Sequence, residues 1–216
     1  MNSSTTIDLF KKFYTDIQFE RAGLFKFIKE NYDCTEVLYP GSFIHVTPSF
    51  FFPYVVYVDQ SPIASKFFAD QASVLQYINR NKTYKRSAYV QYLAHDYFSA
   101  MPLAEGQFDL LLSLYASGIS HACKKYLKVG GILVTNNFHE DARVAAFDSE
   151  FQLISVMRYS KKSYIITNGV SKYFTDAPKK PNIKKYVRQT SQRIEFTEPD
   201  DYFFFKKCLS PHSSCK

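Results

Sequence analysis

The segment Tyr54-Val55-Val56-Tyr57-Val58 is apolar at every position and stops on Asp59. A strand with one wet face alternates apolar and polar residues, so an unbroken run of this kind belongs in a sheet covered on both sides, and such sheets are mostly parallel. Parallel neighbours need a crossover, usually a helix. The flanking sequence supplies both strands and helices.

Upstream, from Ile7 to about Asn31, apolar residues such as Phe10, Phe13, Ile17, Leu24 and Ile28 recur at three- and four-residue steps. That spacing predicts an amphipathic helix, broken near Gly23. Glu36-Val37-Leu38-Tyr39 is a strand-like run halted by Pro40-Gly41. Thr47-Pro48 reads as a brief helix start, with the threonine hydroxyl as cap. Downstream, positions 61 to about 81 return to helical spacing through Ala64, Phe67, Phe68, Val74 and Ile78. Ala88 to Leu93 is a third strand and Phe108-Asp109-Leu110-Leu111-Leu112-Ser113-Leu114 a fourth. Gly118 to Leu127 is helical, Val129-Gly130-Gly131 reads as its stop, and Ile132-Leu133-Val134-Thr135 as a fifth strand. Phe151 to Arg158 and Ser163 to Asn168 are separated by too few residues to hold a helix and predict an antiparallel hairpin. The expected fold is α/β: a doubly wound, mostly parallel sheet of seven strands, helices on both faces, with a C-terminal antiparallel hairpin.

At 216 residues the chain is long enough for one domain with some left over. We read residues 1–170 as that domain and 171–216 as a basic, aromatic extension packed on it. The extension opens with the linker-like Asp176-Ala177-Pro178-Lys179-Lys180-Pro181 and frays from Ser210 onward. With 46% hydrophobic residues there is ample material for a core, which excludes a largely disordered chain. No apolar run approaches the roughly 20 residues that cross a bilayer, and the first residues lack the pattern of a leader, so a soluble cytoplasmic protein is expected. Cys34, Cys123, Cys208 and Cys215 form no close pair, and the five histidines are scattered, so neither a disulfide framework nor a metal site is expected.

In an open parallel sheet, ligands bind outside the carboxyl ends of the strands. Here those ends are Tyr39-Pro40-Gly41-Ser42, Asp59-Gln60-Ser61, His95-Asp96-Tyr97, Ser113-Leu114-Tyr115 and Asn136-Asn137. An acid ending the second strand, about 20 residues past a glycine turn, suits the ribose hydroxyls of an adenosine cofactor. An acid ending the third can accept from an exocyclic amino group. Asp59 and Asp96 stand at those places; alternatively each is a solvated turn residue.

Glu36-Val37-Leu38-Tyr39-Pro40-Gly41-Ser42 followed by Val55-Val56-Tyr57-Val58-Asp59 resembles the cofactor-binding half of class I S-adenosylmethionine-dependent methyltransferases. Ala94-His95-Asp96, Phe108-Asp109-Leu110-Leu111-Leu112-Ser113 and Leu127-Lys128-Val129-Gly130-Gly131-Ile132-Leu133-Val134 are similar to the later motifs of that family. The resemblance spans about Thr6 to Asn168 and implies a Rossmann-like methyltransferase fold with S-adenosylmethionine as cofactor. It further implies that Tyr39, Gly41 and Ser42 hold the methionine end, that Asp59 holds the ribose, and that Asp96 with His95 or Tyr97 flanks the adenine, with Gln60 a further cofactor-binding residue. Ser113, Leu114 and Tyr115 would line the floor beneath the sulfonium. Tyr115 and His139 are the catalytic candidates, His139 being either a base or a surface histidine at a helix start. The family's first loop usually has two or three glycines; this one has Gly41 alone, with Phe43 and Ile44 behind it. The backbone N–H groups of Ser42 and Phe43 are the remaining donors for a carboxylate.

The acceptor is unassigned and read as a small molecule. A second reading is a degenerate fold of this type serving as a non-catalytic binding or scaffold module. A third uses the net charge of +7: Lys179 to Lys207 mixes cations with aromatics, as single-stranded nucleic-acid binders do. No membrane partner is expected.

Overall fold

In a computed structural model of the chain, which describes residues 3–160, 163–167, 174 and 201–209, the apolar runs are strands. The chain divides into two compact units, residues 1–102 with 108–110, and residues 103–107 with 111–216. The strands take the order β3-β2-β1-β4-β5-β8-β6-β7.

In the first unit, β1 (Glu36–Pro40), β2 (Tyr54–Val58) and β3 (Tyr89–Leu93) are parallel, with Pro40 opposite Val58 and Val58 opposite Leu93. The first residues of β4 (Phe108–Ser113) belong to the same unit. There the Asp109 carboxylate accepts from the N–H groups of Thr35 (3.0 Å) and Glu36 (2.9 Å), fixing the start of β1. Four of the five residues in β1 and in β2 are buried, as an unalternating run requires. Val37, Leu38, Val55 and Val56 share this core with Phe10, Phe25, Ile28 and Phe67. Each such side chain contributes on the order of 1.5–3 kcal/mol by leaving water.

Three local features differ from the sequence expectation. The N-terminal helix is interrupted before Gly23: α1 (Ser3–Phe10) passes into one π-helical turn, Lys11–Thr15, and α2 begins at Ala22 and ends at Asn31. Gln18 and Arg21 take left-handed φ values of 55° and 57° in the break. Tertiary contacts set it, because Tyr14 stacks on His45 at 4.4 Å and the Glu20 carbonyl accepts from the His45 ring. Thr47 does not cap the short 3-10 helix Thr47–Phe50; it is the first helical residue, and its hydroxyl is buried without a partner among the described residues. The helix expected over 61–81 is two helices, α3 (Pro62–Ala69) and α4 (Gln71–Asn81). Asp70 separates them and accepts from Ser73 N–H and the Thr6 hydroxyl.

In the second unit, α5 (Ile119–Cys123) and a 3-10 turn end at Tyr126, and β5 (Leu127–Asn136) starts at once. Gly130 therefore sits inside the strand and does not terminate a helix. Its φ is +83° with open space where a Cβ would stand, so the backbone conformation alone selects glycine. After α6 (Asp141–Ala146), β6 (Phe151–Ser160) and β7 (Ser163–Thr167) form the expected hairpin.

The eighth strand, β8 (Asp201–Lys207), is antiparallel to both β5 and β6 and lies between them. The sequence reading counted seven strands and placed Tyr202-Phe203-Phe204-Phe205 in a covering extension. Nothing local marks this run as a central strand, since its partners are β5 and β6, far back in the chain. Two cations pin it. Lys207 Nζ donates to the carbonyls of Lys124 (2.7 Å) and Leu127 (2.8 Å), and Arg158 grips Asp201 through two bonds of 2.8 and 2.9 Å. The linker-like residues 176–181 and the basic residues Lys184, Lys185, Arg188 and Arg193 lie outside the described residues. Among the described residues no helix is long and apolar enough to cross a membrane.

Candidate functional site

The carboxyl ends of β1, β2 and β3 form one rim of the first unit. Gly41 N–H donates to the Val58 carbonyl (2.8 Å), and Asp59 N–H to the Leu93 carbonyl (3.1 Å), so the pairing runs past each strand end. Gly41 has φ 63°, which suits glycine. Phe43 adopts φ 47°, an expensive conformation for a bulky residue. What holds it there is Asp59, whose Oδ2 accepts from Phe43 N–H at 2.8 Å. The other oxygen accepts from Ser61 N–H at 2.7 Å, and Tyr92 donates its hydroxyl to the Asp59 carbonyl at 2.6 Å. Each carboxylate oxygen offers about two lone-pair directions, so half-buried Asp59 keeps capacity for a further donor.

Asp96 follows in a tight turn. Its Oδ1 accepts from Phe98 N–H (3.0 Å), and its carbonyl accepts from His95 Nδ1 (2.8 Å) and Ser99 N–H (2.9 Å). Its Oδ2 takes no hydrogen bond among the described residues. His95 and Tyr97 are half-buried beside it, and Gln60 is exposed.

Tyr39 and Ser42 face inward. Buried Tyr39 donates its hydroxyl to His45 Nδ1 (3.1 Å), and His45 Nε2–H donates to the Glu20 carbonyl (3.0 Å). The Glu20 carbonyl places the proton of the neutral imidazole on Nε2, and burial pushes the His45 pKa down to about 3. Ser42 is buried, its N–H facing the Val58 carbonyl at 3.4 Å. Phe43 packs edge-on against Phe13, with ring centres 5.2 Å apart.

The second unit holds the remaining candidates. Ser113, at the end of β4, is fully buried and donates its hydroxyl to Asp141. Asp141 also accepts from Ser120 N–H (3.1 and 3.2 Å) and the Ser120 hydroxyl (2.7 Å). Burial raises its pKa, and the bonds from Ser113, Ser120 and Gly118 oppose that rise. Leu114 is buried. Tyr115 has φ 58°; its N–H donates to Asn136 Oδ1 (3.1 Å), and its hydroxyl lies 3.5 Å from that of Tyr202. Phe138 bridges the two catalytic candidates, its ring centre 5.6 Å from Tyr115 and 4.6 Å from His139. His139 is half-buried, which lowers its pKa and leaves it neutral at pH 7.

Sequence reasoning passed over Asp141 and His45. An acid opening a helix and a histidine behind a glycine turn are ordinary local patterns; only the partners, Ser113 and Glu20, give them their roles. Among the described residues no cluster of His, Cys, Asp and Glu could hold a metal ion.

No protein-family model and no curated protein sequence matches this chain. Solved structures do. The N-methyltransferase NodS from Bradyrhizobium japonicum WM9 superposes with a TM-score of 0.50 at 12% identity, covering 88% of this chain and 96% of that one. A provisionally assigned methyltransferase from Bacillus halodurans C-125 gives 0.50 at 15% identity over 87% and 99%. The cyclase SpnF gives 0.51 at 13% identity over 87% and 80%. The fold is that of the class I S-adenosylmethionine-dependent methyltransferases. At such identities likeness establishes the architecture of a methyltransferase-like protein, and a cyclase in the same set illustrates that architecture does not dictate reaction.

Proposed function

We propose that this protein is an S-adenosylmethionine-dependent methyltransferase whose first unit binds the adenosyl group at the ends of β1, β2 and β3. The observation that supports it is the rim itself: Gly41 and Asp59 on neighbouring strands, then Asp96 after the third, with accepting capacity left on both carboxylates. Ribose hydroxyls suit Asp59, and an exocyclic amino group suits Asp96 Oδ2.

The methionine end fits less well. The N–H groups of Gly41 and Phe43 are already spent and that of Ser42 faces Val58, while Pro40 has none. From Pro40 to Phe43 the loop therefore keeps no uncommitted N–H for a carboxylate. When bound, the cofactor supplies a methyl group on a sulfonium: an acceptor electron pair forms the new bond as the carbon–sulfur bond breaks, leaving a neutral thioether. The protein's task is then alignment of a small-molecule acceptor, with no covalent intermediate. Within the second unit, Tyr115 and neutral His139 are the proposed catalytic groups, His139 able to take a proton.

The spent loop N–H groups favour a second reading, a non-catalytic binding module. Calorimetry with S-adenosylmethionine and S-adenosylhomocysteine tests both. Binding is expected, weakened at least about tenfold by Asp59→Ala, the loss of a charge-assisted pair. No heat from either ligand overturns the enzyme and leaves the module.

A further inference from the structure

Between Gln71 and His95 the chain carries four cations, Arg80, Lys82, Lys85 and Arg86, and no acidic residue. A solubilising surface ordinarily intersperses both signs. The connection from α4 to β3 that bears most of them is held firmly. Thr83 donates both its N–H (2.8 Å) and its hydroxyl (3.0 Å) to the Phe50 carbonyl, and Tyr84 donates its hydroxyl to the Ser49 carbonyl (2.8 Å). Lys82 Nζ is engaged by the Arg86 carbonyl (2.6 Å). Arg80, Lys85 and Arg86 are exposed and make no ion pair among the described residues.

Tyr89 opens β3, and its N–H is fixed by the Pro53 carbonyl at 2.7 Å. Its ring lies flat on that of Tyr54, with centres 4.4 Å apart and planes 5° from parallel, yet the residue stays 49% exposed. Tyr54 and Tyr89 are directly opposite across β2 and β3, so the cross-strand stack orders the Tyr89 ring while part of it stays open to solvent. An ordered, exposed aromatic ring that follows exposed guanidinium and ammonium groups within ten residues of chain is suited to a flat base joined to phosphates.

We propose that this face of the first unit, residues 80–89, docks a single-stranded nucleic acid, with a base stacked on Tyr89 and phosphates met by Arg80, Lys85 and Arg86. It lies at the opposite ends of the strands from Asp59 and Asp96, about 16 Å from Asp59 along β2, and does not depend on methyl transfer. A phosphopeptide or an anionic bilayer would use the cations but not the flat ring.

The test is fluorescence anisotropy of a labelled 12-nucleotide single-stranded RNA with the full chain across a salt series. Affinity should fall with salt, log K against log salt having a slope near about −2 for three contacts. Lys85→Glu with Arg86→Glu should flatten that slope by more than about one and weaken binding at least about tenfold at low salt. Tyr89→Ala should keep the slope and lose at least about fivefold, with Tyr89→Phe restoring it. Unchanged melting temperatures would confirm that these exposed substitutions leave the fold intact. The proposal is overturned by absent binding at low salt, or by charge variants that bind like the parent chain. It fails too if Lys184→Ser with Lys185→Ser removes the binding instead, or if phosphatidylserine vesicles capture the chain equally well and Tyr89→Ala leaves RNA binding unchanged.

Discussion

Asp59 in the first unit and Asp141 in the second use the same device, a carboxylate that gathers donors from chain segments near strand ends. Asp59 ties Phe43 N–H and Ser61 N–H. Asp141 ties the hydroxyls of Ser113 and Ser120 and the Ser120 N–H. The difference is solvent: Asp141 is 1% exposed, whereas Asp59 is half-buried at a rim. A sealed carboxylate whose acceptance is met from within is a fastener. One with open lone pairs beside water can hold a loop and a ligand at once. Similar bonding therefore separates into architecture and candidate chemistry by exposure.

That contrast breaks most visibly on substitution. Asp141→Ala should cost about 3 kcal/mol or more in urea unfolding, because it strands several buried donors without water to satisfy them. Asp59→Ala should cost only about 1 kcal/mol, water replacing the lost acceptor, and should show mainly in ligand affinity. Equal losses would make Asp59 another fastener and remove its claim to a ligand.

The two units should also differ with pH. His45 is neutral when folded, with a pKa near 3 against about 6.5 when unfolded. Above pH 6.5 it contributes nothing to pH dependence. Below that value the unfolded chain binds the proton and the folded chain does not, so stability falls by up to about 1.4 kcal/mol per pH unit until pH 3. His45→Phe should flatten this slope between pH 6.5 and 5 in urea titrations, and a slope unchanged by the substitution would show that His45 titrates freely. The smallest expected effect is Glu140→Gly. Glu140 precedes α6 at φ 61°, and relief of the left-handed conformation should raise stability by about 0.5–1 kcal/mol; a loss would mean its side chain matters more than its backbone.

Much of the architecture was legible because unalternating runs such as Val55-Val56-Tyr57-Val58 admit few alternatives. Asp59 and Asp96 were legible for a related reason: a strand end places the residues that follow it on the rim whatever lies around them. Partnerships were not. Nothing near Ser113 announces Asp141, so the hydroxyl was read as lining a site when it points into a sealed network. Gly130-Gly131 imitates a helix stop because glycine marks left-handed backbone in strands as well as at helix ends. Tyr202-Phe203-Phe204-Phe205 could be core or surface until its neighbours were known.

The insertion of β8 between β5 and β6 has a consequence for assembly. During synthesis β5, β6 and β7 emerge first, yet the central slot of their layer must wait for residues that follow all three. Until those arrive, β5 and β6 each present an unpaired row of amides and carbonyls, the kind of edge that recruits foreign strands. β8 acts as a keystone, and the edges of β5 and β6 that it covers stay open until it is set.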